Sequence, residues 1–206
     1  MFQDLSTFRM PPGFRGRSAV VVQLWWCVQS LFFHHSPHFA NGFRCWLLRR
    51  FGARVGHHVV IRPSVRITYP WKVSIGDYAW IGDGAELYSL AEIEIGDHAV
   101  VSQFSYLCGG DHDYRSSDFA IRGRPIRIAD EAWVASHTFI APGVSIGKGA
   151  VIGARSAVFT DMPAGMLCVG SPCRPLRPRL DTASQNQTRP HSQAAAPSEL
   201  DSAQVN

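Results

Sequence analysis

A period of six residues constrains this chain more than any other feature. Aliphatic side chains recur at Val55, Ile61 and Ile67, at Ile75, Ile81 and Leu87, at Ile95, Val101 and Leu107, at Ile128, Val134 and Ile140, and at Ile146, Ile152 and Val158. An amphipathic helix repeats near 3.6 residues and a half-buried strand near 2, so neither accounts for a sustained spacing of six. Short strands wound into stacked coils do: one inward aliphatic per side and three sides per turn give about 18 residues per coil, with coils about 4.8 Å apart. Four positions after most of these aliphatics stands a small or β-branched residue, among them Ala79, Ala85, Ala99, Ala132, Thr138, Ala150 and Ser156. That alternation of a large plug and a small neighbour is what a narrow packed tube needs. Glycine directly follows the aliphatic at Gly76, Gly82, Gly96, Gly147 and Gly153. Because glycine turns at positive φ without steric cost, these positions are the expected corners. Two extra residues precede Ile75 and again Ile95, and residues 108 to 127 form a longer interruption.

Composition agrees with such a body. Of 206 residues, 46% are hydrophobic and only 17% charged, with 18 Gly and 13 Pro, which favours short strands and turns over long solvent-facing helices. We divide the chain into an N-terminal segment 1–54 with an apolar or amphipathic helix, a coil domain 55–170 whose loop 108–127 carries the site, and a C-terminal extension 171–206. The extension is expected to be disordered after about residue 180, where large apolar residues run out. Residues 18–33, "SAVVVQLWWCVQSLFF", contain Gln23 and Gln29 and are too short and polar for a membrane span. Two readings of this helix stay open. It packs on the coil domain or a neighbouring subunit, or it touches a membrane surface through Trp25, Trp26 and the nearby arginines.

Five cysteines without a C-x-x-C pair suggest neither a disulfide framework nor a zinc knuckle, and read as reduced thiols. The start of the chain lacks the order of a signal peptide, so a cytoplasmic place is expected, at the inner membrane face if the helix meets lipid. The net charge of +4 comes mostly from arginine, with clusters at Arg44, Arg49, Arg50 and Arg54 and at Arg174, Arg177 and Arg179. Such clusters suit phosphates, but no helix-turn-helix, finger or RNA-binding signature accompanies them, so nucleic acid is not an expected partner.

Residues 128–177, "IADEAWVASHTFIAPGVSIGKGAVIGARSAVFTDMPAGMLCVGSPCRPLR", resemble the hexapeptide-repeat acyltransferases, such as galactoside, maltose and nodulation-type sugar O-acetyltransferases. "LLRRFGARVG", the coil repeats after it and "DHDYRSSDF" look like the branch named for colanic acid biosynthesis, and the resemblance runs from about residue 14 to 179. It implies an all-β fold, a left-handed parallel β-helix of about five coils with an N-terminal helical segment. It further implies acetyl-coenzyme A as donor, a sugar or glycan acceptor on a nucleotide or a lipid, a homotrimer, no metal, and direct transfer without an acetyl-enzyme.

Acetyl transfer to an alcohol needs a base for the hydroxyl proton, a bound thioester and donors for the oxyanion. His112 lies in the 20-residue interruption, and long loops in compact domains are usually functional. The resemblance carries the family's catalytic histidine onto it. Asp111, Asp113 and Asp118 are candidates to orient its ring or meet the acceptor, although Asp111 stands where the family usually has Ser or Asn. On the donor side the resemblance assigns Trp133 to the coenzyme channel, Ser136, Ala154 and Thr160 to the pantetheine arm, and Arg174 and Arg177 to the nucleotide end. His137 is a further candidate for the donor groove. Two other classes remain as alternatives: a non-catalytic trimeric assembly module, which would bind no coenzyme A, and an enzyme like the γ-class carbonic anhydrases, for which His98, His112 and His137 would have to converge on zinc.

Overall fold

The computed structural model describes residues 2 to 180; the tail beyond, read above as disordered, lies outside them. Three parallel ladders run the length of the body. The first face stacks Arg54–Val55, Val73–Ile75, Ile93–Ile95, Ile126–Ile128 and Ser145–Ile146. The second stacks Val60–Ile61, Trp80–Ile81, Val100–Val101, Trp133–Val134 and Val151–Ile152, and the third Arg66–Ile67, Glu86–Tyr88, Tyr106–Cys108, Phe139–Ile140 and Ala157–Val158. Fourteen of the fifteen periodic aliphatics are buried in the tube, and Val55, in the first coil, is half-buried. A partial sixth coil follows the five that the period marks. Met162 bridges to Ile146, Leu167 and Cys168 pair with Val151 and Ile152, and the antiparallel strand Cys173–Pro178 returns beside them.

The corners work differently from the sequence expectation. None of the five glycines that follow an aliphatic has positive φ. Positive φ falls two residues later, at His58 (54°), Tyr78 (57°), His98 (56°) and Glu131 (59°) on one corner and at Phe104 (57°), His137 (57°) and Arg155 (58°) on the next. The glycines are required instead by close approach. A Cβ on Gly56, Gly76 or Gly96 would collide with Oδ1 of Asp77, Asp97 or Asp130 and lie 2.6 to 2.8 Å from that aspartate's backbone nitrogen. Those same carboxylates accept hydrogen bonds from the coil below, from the amides of His57 (2.6 Å), Asp77 (2.7 Å) and Asp97 (3.0 Å). Glycine in one coil therefore makes room for the aspartate of the next. The three insertions share one corner, between the third and first faces, and each delivers one further inward residue: Val73, Ile93 and Ile126 lie over one another and are buried.

Helix α1, Ala19–Val28, starts at Ser18, whose hydroxyl accepts from the Val21 amide, and continues as a π-helical turn, Gln29–Phe33; α2 spans Asn41–Arg50. Both lie across the base of the tube. Between coils, the carbonyls of Ile75, Ala79, Ile81, Ala85 and Leu87 accept from amides of the first coil, at Gly56, Val60, Arg62, Arg66 and Thr68. The equivalent carbonyls of the first coil have no coil beneath them. Side chains from the helical segment take that place: Arg49 Nε donates to Val55 (3.0 Å), Cys45 Sγ to Val59 (3.7 Å), Arg44 Nε to Ile61 (2.6 Å), His34 Nε2 to Val65 (3.2 Å) and Trp25 Nε1 to Ile67 (2.8 Å). The helix thus packs on the coil domain, and Trp25 is fully buried there. Among the described residues no helix is long and apolar enough to cross a membrane.

Arg44 is the largest polar part of this closure. It is fully buried and donates also to Ser36 Oγ, Asn41 Oδ1 and the carbonyls of Pro37 and His38, at 2.7 to 2.9 Å. Arg44→Met keeps the length and removes every donor, leaving buried acceptors unpaired. A loss of about 3 to 5 kcal/mol in unfolding free energy is expected by urea denaturation. A loss below about 1 kcal/mol would mean that water substitutes for the guanidinium.

Candidate active site

The interruption after the third coil folds into a two-stranded hairpin, Gly110–His112 against Ile121–Gly123, with His112 opposite Ile121. His112 lies half-buried, its ring stacked on Phe119 with centroids 4.1 Å apart and planes at 8°, and Phe8 tilts against it at 6.0 Å. Its Nδ1 is 2.7 Å from the carbonyl oxygen of Phe119. A carbonyl only accepts, so Nδ1 carries the hydrogen and the unprotonated ring keeps its lone pair on Nε2. Phe119 holds positive φ (51°), uncommon for a bulky residue, and this turn aims its carbonyl at the ring. Phe8 arrives with the N-terminal segment, whose Asp4 amide donates to the Ser117 carbonyl (2.7 Å).

The three acids are engaged elsewhere. Asp111 pairs with Arg122 (3.0 Å) and Arg124 (2.9 Å), Asp113 lies 3.6 Å from Arg122 and accepts from the Arg115 amide, and Asp118 accepts from the Ser116 hydroxyl. The ring is therefore held by a backbone carbonyl that sequence reasoning did not single out. Nothing in residue type marks it, since any residue at 119 offers the same atom. Burial alone would push the Asp111 carboxyl up, but the hydrogen bonds from Arg122 and Arg124 outweigh it and hold the group below its ordinary value.

On the second face Trp133 points outward, half-exposed, and its Nε1 donates to Ser102 Oγ (2.9 Å). Ser136 and Ala154 follow at the corner between the second and third faces, where the Arg155 amide donates to the Ser136 carbonyl (3.0 Å). Arg174 and Arg177 lie on the outermost strand of the same sheet, opposite Val169 and Leu167. Thr160 stands apart, exposed on the far side of the third face, two residues beyond Val158. His98 stacks on Tyr78 (5.0 Å) and His137 on Phe104 (5.1 Å), at two corners that both differ from the corner of His112. No group of three or more His, Cys, Asp or Glu among the described residues is arranged to hold a metal ion.

No family model matches the chain. It is 54% identical over 180 residues to the putative colanic acid biosynthesis acetyltransferase WcaF of Escherichia coli K12, across 87% of this chain and 99% of that protein. The chain belongs to the hexapeptide-repeat acetyltransferases. Likeness extends to the galactoside O-acetyltransferase of Escherichia coli, 29% identical over 134 residues, 64% of this chain and 66% of that one. Among solved structures, the hexapeptide-repeat acetyltransferase VCA0836 of Vibrio cholerae, complexed with acetyl coenzyme A, superposes with a TM-score of 0.72 at 27% identity, over 81% of this chain and 92% of that one. A galactoside acetyltransferase in complex with coenzyme A shares the fold, with a TM-score of 0.75 at 24% identity over 91% and 92% of the two chains. The coil is accordingly the left-handed parallel β-helix of these acetyltransferases.

In this acetyltransferase the hairpin of His112 and the column of Trp133 occupy opposite sides of one chain. The hairpin leaves the corner between the third and first faces, and in a triangular prism that corner lies across from the second face. Beside the hairpin root the aromatic rings of Tyr88, Tyr106 and Phe139 stack at 5.9 Å steps. Cys108, also at the root, is pushed up by burial and held as a thiol, 3.0 Å from the Gly110 carbonyl. It is thereby a poor nucleophile.

The Asp111 ion pairs brace the hairpin, and their pH response has a definite sign. A carboxyl depressed in the folded state contributes stability above its unfolded value, near 3.8, and loses it as pH falls through the lower folded value. Both partners are partly exposed, so the effect is local. Asp111→Asn at pH 7 should speed hydrogen exchange at the Asp113 and Arg124 amides, which donate across the hairpin to the Ala120 and Gly109 carbonyls, about two- to fivefold while leaving the coil amides unchanged. Unchanged hairpin exchange would show that the strand pairing alone orders the loop.

Proposed function

We propose that this chain moves an acetyl group from acetyl-coenzyme A to a sugar hydroxyl in exopolysaccharide or lipopolysaccharide biosynthesis, with His112 as general base. The observation that carries the reading is the tautomer: the Phe119 carbonyl holds Nδ1–H and leaves Nε2 to take a proton. The hydroxyl proton passes to Nε2 as the sugar oxygen attacks the thioester carbonyl. The tetrahedral intermediate collapses, the carbon–sulfur bond breaks, and the imidazolium returns the proton to the departing thiolate. A half-buried Cys108 whose thiol is pushed up agrees with direct transfer rather than an acetyl-enzyme. Stacked Tyr88 and Tyr106 at the hairpin root offer a flat wall suited to a sugar ring.

The donor side comprises Trp133, Ser136 and Ala154, with Arg174 and Arg177 toward the nucleotide phosphates, and Thr160 remains assigned by resemblance alone. Because Trp133 and His112 stand on opposite sides of one chain, the reading requires a neighbouring copy, and a homotrimer supplies three shared sites. The acceptor is a nucleotide- or lipid-linked glycan, and the place of work is the cytoplasm, at the inner face of the membrane.

Thiol release from acetyl-coenzyme A, measured across free, nucleotide-linked and lipid-linked sugars, tests the chemistry. His112→Ala should lower acceptor-dependent turnover about 10²- to 10⁴-fold with coenzyme binding retained. Full turnover in that variant would exclude the histidine as base. Co-expression of His112→Ala with Trp133→Ala tests the shared site. Random mixing rebuilds intact sites in about a quarter of the positions, so activity should return well above either variant alone. No recovery in verified mixed trimers would place both residues in a single-chain site.

A further inference from the structure

We infer that the helical base of the tube docks end-on against an anionic lipid bilayer. The inference deepens the membrane placement proposed above and is independent of the transferase chemistry. The helices bury Val22, Trp25, Phe33, Leu47 and Leu48 together with the polar groups that meet the open carbonyls of the first coil, and still leave a second set of apolar side chains exposed. On α1 and its π-helical turn, Val20, Leu24, Cys27 and Leu31 are all exposed and fall at steps of four, three and four, one continuous stripe. Phe39, Phe43 and Trp46 repeat the pattern into α2, with the Phe43 and Trp46 rings stacked at 6.1 Å. Exposures of 64% at Leu31, 87% at Phe39 and 53% at Trp46 are well beyond what a side chain packed on its own fold retains. The stripes belong to one surface: Leu24 of α1 and Arg49 and Arg50 of α2 line the same shallow depression with Arg17.

Charge selects the occupant. From Leu5 to Gly76 the chain contains no Asp or Glu; Arg44 there is buried and Arg62 pairs with Asp83, and Arg17, Arg49 and Arg50 stand exposed beside the apolar stripes. Every acidic residue except Asp4 comes at or after Asp77. An apolar face with Leu, Phe and Trp, rimmed by arginine and without acids, matches an interfacial helix pair on anionic headgroups. A second copy fits less well, since base-to-base contact would set these arginines against one another. The base is also an end of the prism, whereas lateral assembly uses its sides. With no membrane-spanning helix among the described residues, the contact is interfacial, and the tube axis then stands away from the bilayer.

Sedimentation of the full chain with vesicles of phosphatidylcholine, alone or with phosphatidylglycerol, tests this directly. Binding is expected on the anionic vesicles, weakening with salt and with Arg50→Glu. A variant carrying Leu24→Ser, Leu31→Ser, Phe39→Ser and Trp46→Ser, none of which caps a coil carbonyl, should bind them about tenfold or more weakly, with its unfolding midpoint and its thiol release toward a soluble acceptor unchanged. Absence of binding to anionic vesicles, or equal binding by the variant, would overturn the inference and leave the transferase reading intact. Concentration-dependent self-association in light scattering, lost in the same variant, would assign the face to a second copy instead.

Discussion

Hydrogen bonds between successive coils run along the axis of the tube, so each coil is satisfied only by the one above and the one below. The stack must therefore be closed at its base, where the carbonyls of Val55, Val59, Ile61, Val65 and Ile67 face away from the second coil. An exposed parallel edge of this kind invites pairing with other chains. Here the closure is made by side chains rather than by another strand, and a thiol, an imidazole, an indole and two guanidinium groups each reach one carbonyl. That single requirement explains the odd composition of the N-terminal segment. Gln29, whose side-chain oxygen accepts from the Ile67 amide at 2.8 Å, and Arg44 lie in otherwise apolar runs because they face the coil. Further apolar residues stay exposed on the other side, so the segment is apolar on both faces, where an ordinary surface helix keeps its outer face polar.

Coupling between coils also sets the local sequence. The I-G-D unit works vertically: the aspartate caps an amide of the coil beneath, and the glycine beneath makes room for it. Turning is left to the position two further on, where His58, Tyr78 and His98 accept a left-handed backbone and stack their rings at 4.9 and 5.0 Å. A bulky residue at positive φ is locally unfavourable, and stacking of equivalent corners supplies a contact that offsets it. The assignment of the turn to glycine failed because the sequence pattern marks both a turn and a close approach with the same residue.

What could be read from the sequence was whatever repeats. The inward aliphatics, the faces they define and the position of the long interruption followed from a period of six. Non-repeating features were hidden. The sixth coil carries Met162 and Cys168 in place of aliphatics, and so broke the pattern while keeping the ladder. The closure of the base depends on long-range bonds from side chains to backbone, which have no spacing of their own. At the candidate site, the loop and the resemblance single out His112, but not the Phe119 carbonyl that holds its ring. Three aspartates in the loop suggested an acid, and the arginines at 122 and 124 claimed the nearest of them.

The position of the loop carries the remaining consequence. All three insertions fall on the corner between the third and first faces, and the longest one, after the third coil, bears His112. Inward Val73, Ile93 and Ile126 keep the ladder in register through these insertions, so the tube continues undisturbed and the hairpin projects from a rigid frame. A rigid frame also means that the hairpin cannot swing around to Trp133 on the opposite face. Either the two residues serve different ends or a second chain brings them together. In the trimer proposed above, threefold packing sets a corner of one prism against a face of the next without moving any backbone. Under that proposal the separation of His112 and Trp133 within one chain becomes the condition for a shared site.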